Sequence, residues 1–167
     1  MTVSAGPNYS ITGYYPGIIG QIVELHAVYY HRHWGLDASF EIQMASELAS
    51  FFAGFEEKRD GLWAASTPEG LIGSVAIDGK DAQVEGARLR WFIVAPQYQG
   101  TGLGKRLIGL AIDHCRLVGY SQVCLWTFSG LHAARSIYER EGFSLACEHE
   151  LSQWGKALRE QKFVLVL

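Results

Sequence analysis

The chain is poor in cysteine, has no run of like charge and no long hydrophobic stretch, and each shortage removes a class of protein. Its 3 cysteines, Cys115, Cys124 and Cys147, are odd in number, show no CxxC spacing and sit within periodic apolar segments. They read as buried thiols, not as a disulfide framework or a metal site, so no metal is expected and a reducing cytoplasm is the simplest setting. Lys and Arg number 14 against 17 Asp and Glu, a net charge of −3 scattered along the chain. Without a basic face, nucleic acid is not an expected partner. No apolar run approaches the roughly 18 residues of a membrane helix, and the start Met1-Thr-Val-Ser-Ala-Gly-Pro7 has neither the basic nor the apolar region of a secretory signal. Membrane spanning and secretion are therefore not expected.

What is present suits one enzyme-sized α/β domain. A chain of 167 residues buries a full core, and 49% hydrophobic with 19% charged residues is ordinary for a globular fold. Residues 1–8 read as a loose leader and 9–167 as a single domain. Tyr9 to Tyr15 reads as a first strand, closed by Pro16-Gly17. Ile22, Leu25, Val28 and Tyr29 recur at helical spacing between Ile18 and Trp34, and Gly35 stops that helix. Ser39 suits the N-cap of a second helix whose stripe is Phe40, Met44, Leu48, Phe51, Phe52 and Phe55. Leu62 to Ser66, Leu71 to Ile77 and Gln83 to Val94 read as an antiparallel meander. A helix over Gly102 to Val118 follows, with Leu103, Leu107, Leu110, Ala111 and Leu117 on its buried side. The next strand, Ser121 to Phe128, is reached through that helix, which implies parallel pairing with the strand before it. A helix from His132 to Glu141 and strands Phe143 to Glu150 and Gln161 to Leu167 end the chain.

One segment carries chemistry. Arg90-Trp-Phe-Ile-Val-Ala-Pro-Gln-Tyr-Gln-Gly-Thr-Gly-Leu-Gly-Lys105 runs an apolar strand into a glycine-rich turn that opens an amphipathic helix. A helix start leaves its first N–H groups unpartnered and partly positive, and glycines let an anion approach the backbone, so the arrangement binds phosphate. The spacing Gln99-x-x-Gly102-x-Gly104 is neither the GxGxxG nor the Walker pattern. Downstream stands a second segment, Ala133-Ala-Arg-Ser-Ile-Tyr-Glu-Arg-Glu-Gly-Phe143.

Together, Q-x-x-G-x-G after a strand ending in Val-x-Pro and A-x-x-x-Y-E-x-x-G-F resemble the GNAT family of acyl-CoA-dependent N-acyltransferases. The resemblance covers residues 9 to 167 and implies a mixed α/β fold, a mostly antiparallel sheet of about seven strands with four helices. It implies acetyl-CoA as acyl donor: the backbone of Gln99, Gly100, Thr101, Gly102, Leu103, Gly104 and Lys105 at the pyrophosphate, and the strand end Phe92, Ile93 and Val94 along the pantetheine arm. Ala134 and Tyr138 on the later helix complete that site. Lys105 and Arg106 either add charge near the phosphates or are solvated helix residues. Tyr138 is the implied general acid for the leaving thiolate, with ring packing as the alternative, and the N–H near Val94 the implied oxyanion donor.

Two positions depart from the family pattern. Some members carry a glutamate base six residues before the strand's last Val, where Arg88 stands, and an asparagine seven residues before the tyrosine, where Leu131 stands. Glu85, Glu24, His26, His31 and His33 are candidate substitute bases, with structural alternatives for Glu85 as a surface residue beside Gly86, His26 as a satisfied, partly buried histidine, and His31 and His33 as a solvated helix end. The segments Cys124-Leu-Trp-Thr-Phe-Ser-Gly130 and Glu148-His-Glu-Leu-Ser-Gln-Trp-Gly155 further resemble GNAT domains fused behind winged-helix regulators of the multiple-antibiotic-resistance type. His149, Glu150 and Trp154, in a loop between the last two strands, either roof the acceptor pocket or only pack there. The expected acceptor is a primary amine on a small molecule or peptide, and a homodimer is compatible with the fold. The alternative function is an acyl-CoA-binding sensor without turnover.

Overall fold

Seven strands form one sheet in the order β1-β2-β3-β4-β5-β7-β6 in the computed structural model, which describes residues 8–167. The proposed leader, residues 1–8, lies outside the described residues but for Asn8. Strand β1 (Ser10–Thr12) is shorter than Tyr9 to Tyr15 and pairs antiparallel with β2 (Gly61–Thr67). Helices α1 (Ile18–Trp34) and α2 (Ala38–Ala53) come between them. The cap of α2 is Asp37 and not Ser39: in extended backbone, the Asp37 carboxylate accepts the Ser39 N–H at 3.0 Å and shields an otherwise unpaired donor.

Strands β2, β3 (Gly70–Asp78) and β4 (Ala87–Val94) form the antiparallel meander. The expected strand start at Gln83 is instead a single-turn helix, α3 (Ala82–Glu85), ended by Gly86 at φ 87. A side chain at Gly86 would stand 2.6 Å from Gln122, so only glycine lets the chain turn into β4 against its neighbour. After a 3-10 turn, α4 (Leu103–Val118) crosses over to β5 (Gln122–Phe128), which runs parallel to β4. Helix α5 (His132–Arg140) leads to β6 (Ser144–Gln153) and β7 (Lys156–Val166). The last two strands are longer than expected, and the loop between them shrinks to Trp154 (φ 56) and Gly155 (φ 78), a tight hairpin turn. Glycine suits that conformation, but Trp154 adopts it at a cost that hides the turn from sequence reading.

Apolar residues sort to the two faces of the sheet. Ile18 and Ile22 of α1 with Met44, Leu48 and Phe51 of α2 cover Leu62, Ala64 and Ala76 on one face. Leu103, Leu107, Ile108, Ala111, Ile112 and Cys115 of α4 join Tyr138, Phe143 and Phe163 on the other. Truncating one of the leucines or isoleucines among these to Ala costs about 2–5 kcal/mol. Leu117 is not on the buried side of α4 but 88% exposed, because the i, i+4 row through Leu103, Leu107, Ala111 and Cys115 leaves it facing out. Cys115 and Cys124 are buried thiols, whereas Cys147 is exposed on the edge strand β6.

Candidate active site

The central feature is a gap between two parallel strands. Strands β4 and β5 pair only at Ala87 with Val123 and Arg88 with Cys124, and beyond that rung they diverge. A bulge on β4 opens the gap. Two residues, Trp91 and Phe92, stand opposite Val75, since Ser74 pairs with Ile93 and Ala76 with Arg90. Trp91 sits at φ 49, a left-handed conformation worth about 1–3 kcal/mol of strain in a non-glycine residue. It is held by the Ser74 hydroxyl donating to its carbonyl at 2.8 Å and by Phe51, 5.2 Å ring to ring. Ala95 N–H donates to Ile72 on β3, so by strand alternation the Val94 N–H points the other way, towards the gap.

Above the gap stands the start of α4. Its first intrahelical bond is Arg106 N–H to the Gly102 carbonyl, 3.1 Å, which leaves the N–H groups of Leu103, Gly104 and Lys105 without helical partners, and no side chain caps them. The three glycines have different jobs. Gly100 (φ 75) and Gly102 (φ 88) have open space where a side chain would point, so their conformation requires glycine and nothing shields the backbone. Gly104 instead lets α4 pack: a Cβ there would lie 2.9 Å from Ile137 of α5 and 3.3 Å from Phe92. Leu103 turns its side chain into the core, leaving only its N–H towards the turn. Thr101 and Lys105 are exposed, and the Thr101 hydroxyl donates to the Tyr98 carbonyl at 2.6 Å. The Gln99 amide donates to the Val94 carbonyl at 3.1 Å.

A cleft of about 680 Å³ runs from this turn through the gap to α1 and α2. Phe92, Ile93, Val94, Gln99, Gly100, Gly104, Ala134 and Tyr138 line it; Thr101, Gly102, Leu103 and Lys105 lie at the helix start outside its wall. Tyr138 is 5% exposed, its ring among Phe92, Phe143 and Phe163 at 5.8, 5.9 and 6.2 Å. Burial, and secondarily Tyr30, pushes its phenol well above the ordinary tyrosine range.

The opposite wall was largely invisible in the sequence. Tyr30 and Trp34 of α1 meet Phe128 of β5 at 5.5 and 4.9 Å, and Phe40 of α2 meets Trp154 at 5.1 Å. Of the trio considered, Trp154 lines the cleft, its indole donating to Gln43 at 2.9 Å. Glu150 is exposed and bonded to Arg159, and His149 reaches the wall only through Glu160, 3.4 Å away. Glu47 also lines the cleft, unforeseen, and is tied to Arg90 at 2.8 Å. Of the substitute bases, Glu24 and Glu85 are exposed and outside it. His26 is at the wall but not satisfied: Nδ1 donates to the Ile22 carbonyl at 2.7 Å, while Nε2 is buried without a partner. Burial lowers its pKa to about 4, outweighing that bond, so the ring is neutral at pH 7.

The profile of the Acetyltransferase (GNAT) family matches residues 20–143, most of the chain. The chain belongs to the GNAT family. The uncharacterized N-acetyltransferase YhbS of Escherichia coli K12 is 32% identical over 96 residues, 54% of this chain and 53% of its own length. The probable N-acetyltransferase camello of Xenopus tropicalis is 31% identical over 81 residues, 48% of this chain and 37% of its own. This GNAT chain thus spans about half, or less, of the length of the curated relatives it matches. In fold it is similar to yncA of Salmonella typhimurium, solved with its cofactor acetyl-CoA, with a TM-score of 0.72 at 16% identity over 96% of this chain and 95% of that one. The mixed α/β GNAT fold expected from the two motifs is the fold observed, with the short α3 as a fifth helix.

Proposed function

We propose that this protein transfers an acetyl group from acetyl-CoA to the primary amine of a small molecule or peptide by direct attack. The observation that carries the reading is the splay of β4 from β5 beneath the uncapped start of α4. One open strand edge suits the amides of a pantetheine arm, and one set of free N–H groups suits a pyrophosphate. On this reading Gln99 to Lys105 offer backbone to the phosphates, while Phe92, Ile93, Val94, Ala134 and Tyr138 flank the arm and thioester. The amine enters from the aromatic wall of α1, α2 and the β6–β7 turn. Its nitrogen attacks the thioester carbon, the Val94 N–H receives the oxyanion, and the carbon–sulfur bond breaks as the amide forms.

The raised pKa of Tyr138 shapes its role. A phenol that holds its proton so firmly stabilises the leaving thiolate by donating a hydrogen bond, and the proton the thiol finally keeps is the one the amine loses. Tyr138 thus donates a hydrogen bond and no net proton. Among the described residues, no carboxylate at the wall is free to act as base: Glu47 is held by Arg90 and Glu160 lies against His149. Deprotonation through water, or before binding, fits best. We place the activity in a single domain over residues 9–167, working in the cytoplasm. The likeness of Cys124 to Gly130 and Glu148 to Gly155 to GNAT domains behind winged-helix regulators is one of sequence alone. An acyl-CoA sensor without turnover is the second reading, favoured by Arg88 and Leu131 where relatives carry glutamate and asparagine. Release of free thiol from acetyl-CoA, with matching N-acetyl product, across a panel of primary amines supports the first reading. Acetyl-CoA binding with no amine-dependent thiol release supports the second.

A further inference from the structure

The acceptor side of the cleft holds a guanidinium that no described residue uses. Arg88 stands at the last paired rung of β4 and β5, beside Cys124, and two residues before Arg90, so both arginines project from the same face of the strand. That face is the one covered by α2, because Arg90 reaches Glu47 there at 2.8 Å as well as Asp78 at 3.2 Å. Arg90 is fully engaged. Arg88 also lines the cleft, half-buried, yet among the described residues it has no carboxylate partner and no side-chain hydrogen bond. Lys162, 5.5 Å from the Trp126 ring, is likewise without a carboxylate partner, and with Arg88 it is the cationic influence felt at Cys124. Asp78 pairs in register with Arg88 but gives its carboxylate to Arg90.

A half-buried arginine whose planar fork of five donors is unmatched is an anion site, and a carboxylate fits it bidentately. The carboxylates at the cleft wall, Glu47 and Glu160, offer the opposite sign to an incoming ammonium. Trp34, Phe40, Phe128 and Trp154 line the same cleft, an apolar seat for a side chain. We propose that the acceptor is an amino acid, or an amine of that chemistry with an apolar side chain, whose carboxylate is held by Arg88. The inference rests on the acetyl-transfer reading and narrows it. The free amine attacks the thioester carbon, a C–N bond replaces the C–S bond, and the amine proton ends on the thiol of CoA. A polyamine meets a like charge at Arg88 and is a poor acceptor.

Three acceptors with one side chain test it: L-phenylalanine, L-phenylalaninamide and phenethylamine, compared by thiol release from acetyl-CoA. The amide has the least basic amine and is favoured on availability of the free base alone, so a preference for the acid runs against intrinsic reactivity. The expected ratio of kcat/KM, acid over either analogue, is about 10- to 100-fold for one charge-assisted pair, expressed mainly in KM. In Arg88→Gln, checked as folded by circular dichroism, that ratio collapses towards one, and Arg88→Lys retains part of it. A ratio near one in the parent, or a ratio undiminished in Arg88→Gln, overturns the assignment. Should no amine be acetylated while acetyl-CoA binds, the transfer reading fails, and calorimetry on the CoA-loaded protein decides this site separately. N-acetyl-L-phenylalanine bound in preference to N-acetylphenethylamine, with the preference lost in Arg88→Gln, supports it; equal binding of the two, or none, overturns it.

Discussion

His26 makes this protein's stability depend on pH in a way the structure sizes. Its ring is 4% exposed, and burial lowers its pKa from 6.5 to about 4. The unfolded chain therefore binds a proton at this residue where the folded one does not, and stability falls as pH drops through the window between about 6.5 and about 4. Above the unfolded value the contribution is fully present. Integrating a single site over these two pKa values gives a loss of about 2 kcal/mol between pH 7 and pH 5. The informative quantity is a difference between two proteins that share every other titrating group. Urea unfolding of the parent and of His26→Leu at both pH values reads it. The variant removes the titrating ring while keeping the apolar volume, and it should lose about 2 kcal/mol less than the parent on acidification. Equal losses in the two proteins would refute the claim that a neutral, buried His26 is part of the fold.

Tyr138→Phe keeps the ring packed among Phe92, Phe143 and Phe163 and removes the hydroxyl that donates to the leaving sulfur. It should lower the chemical step by ~10²-fold, about 2.7 kcal/mol, with acetyl-CoA affinity nearly intact; single-turnover kinetics matching the parent would make Tyr138 a packing residue. Glu24→Gln, Glu85→Gln and Glu150→Gln each retain appreciable activity, since all three are exposed and outside the cleft wall. Loss of turnover at neutral pH and recovery at high pH in any one of them would identify it as the base. Trp154→Ala removes the indole bond to Gln43 and the edge contact on Phe40, so the KM of the acceptor should rise while that of acetyl-CoA stays put; a change confined to acetyl-CoA would contradict Trp154 as the roof of the acceptor side.

Local pattern carried the fold further than the site. Gln99-x-x-Gly102-x-Gly104 and the tyrosine helix marked the strand, turn and two helices around the gap, because these signals lie within single segments of the chain. Boundaries failed where a long-range contact decided them. Gln83 to Glu85 alternates well enough for a strand but turns into α3, because Gly86 must pass against Gln122. The glycines of the turn looked alike, yet only Gly100 and Gly102 are conformational; Gly104 is small for the sake of Ile137 and Phe92, which arrive from other segments. The cleft wall built by α1, α2 and the β6–β7 turn was the least legible part. Glu47 acquires its role from Arg90, 43 positions away, and Trp154 from Gln43, 111 positions away, pairings that no periodicity announces. His26 had a visible helical position but not a visible partner count, so its bare Nε2 emerged only in three dimensions.

The central claim is that the start of α4 holds the pyrophosphate of acetyl-CoA. Calorimetric titration of acetyl-CoA into the parent and into Gly102→Asp tests it most directly, with Gly102→Ala as control for the cost of a side chain at φ 88. The account predicts saturable one-site binding by the parent, modest weakening in Gly102→Ala, and a much larger loss in Gly102→Asp, whose carboxylate would face the phosphates. No binding by the parent, or undiminished affinity in a folded Gly102→Asp protein, would contradict it.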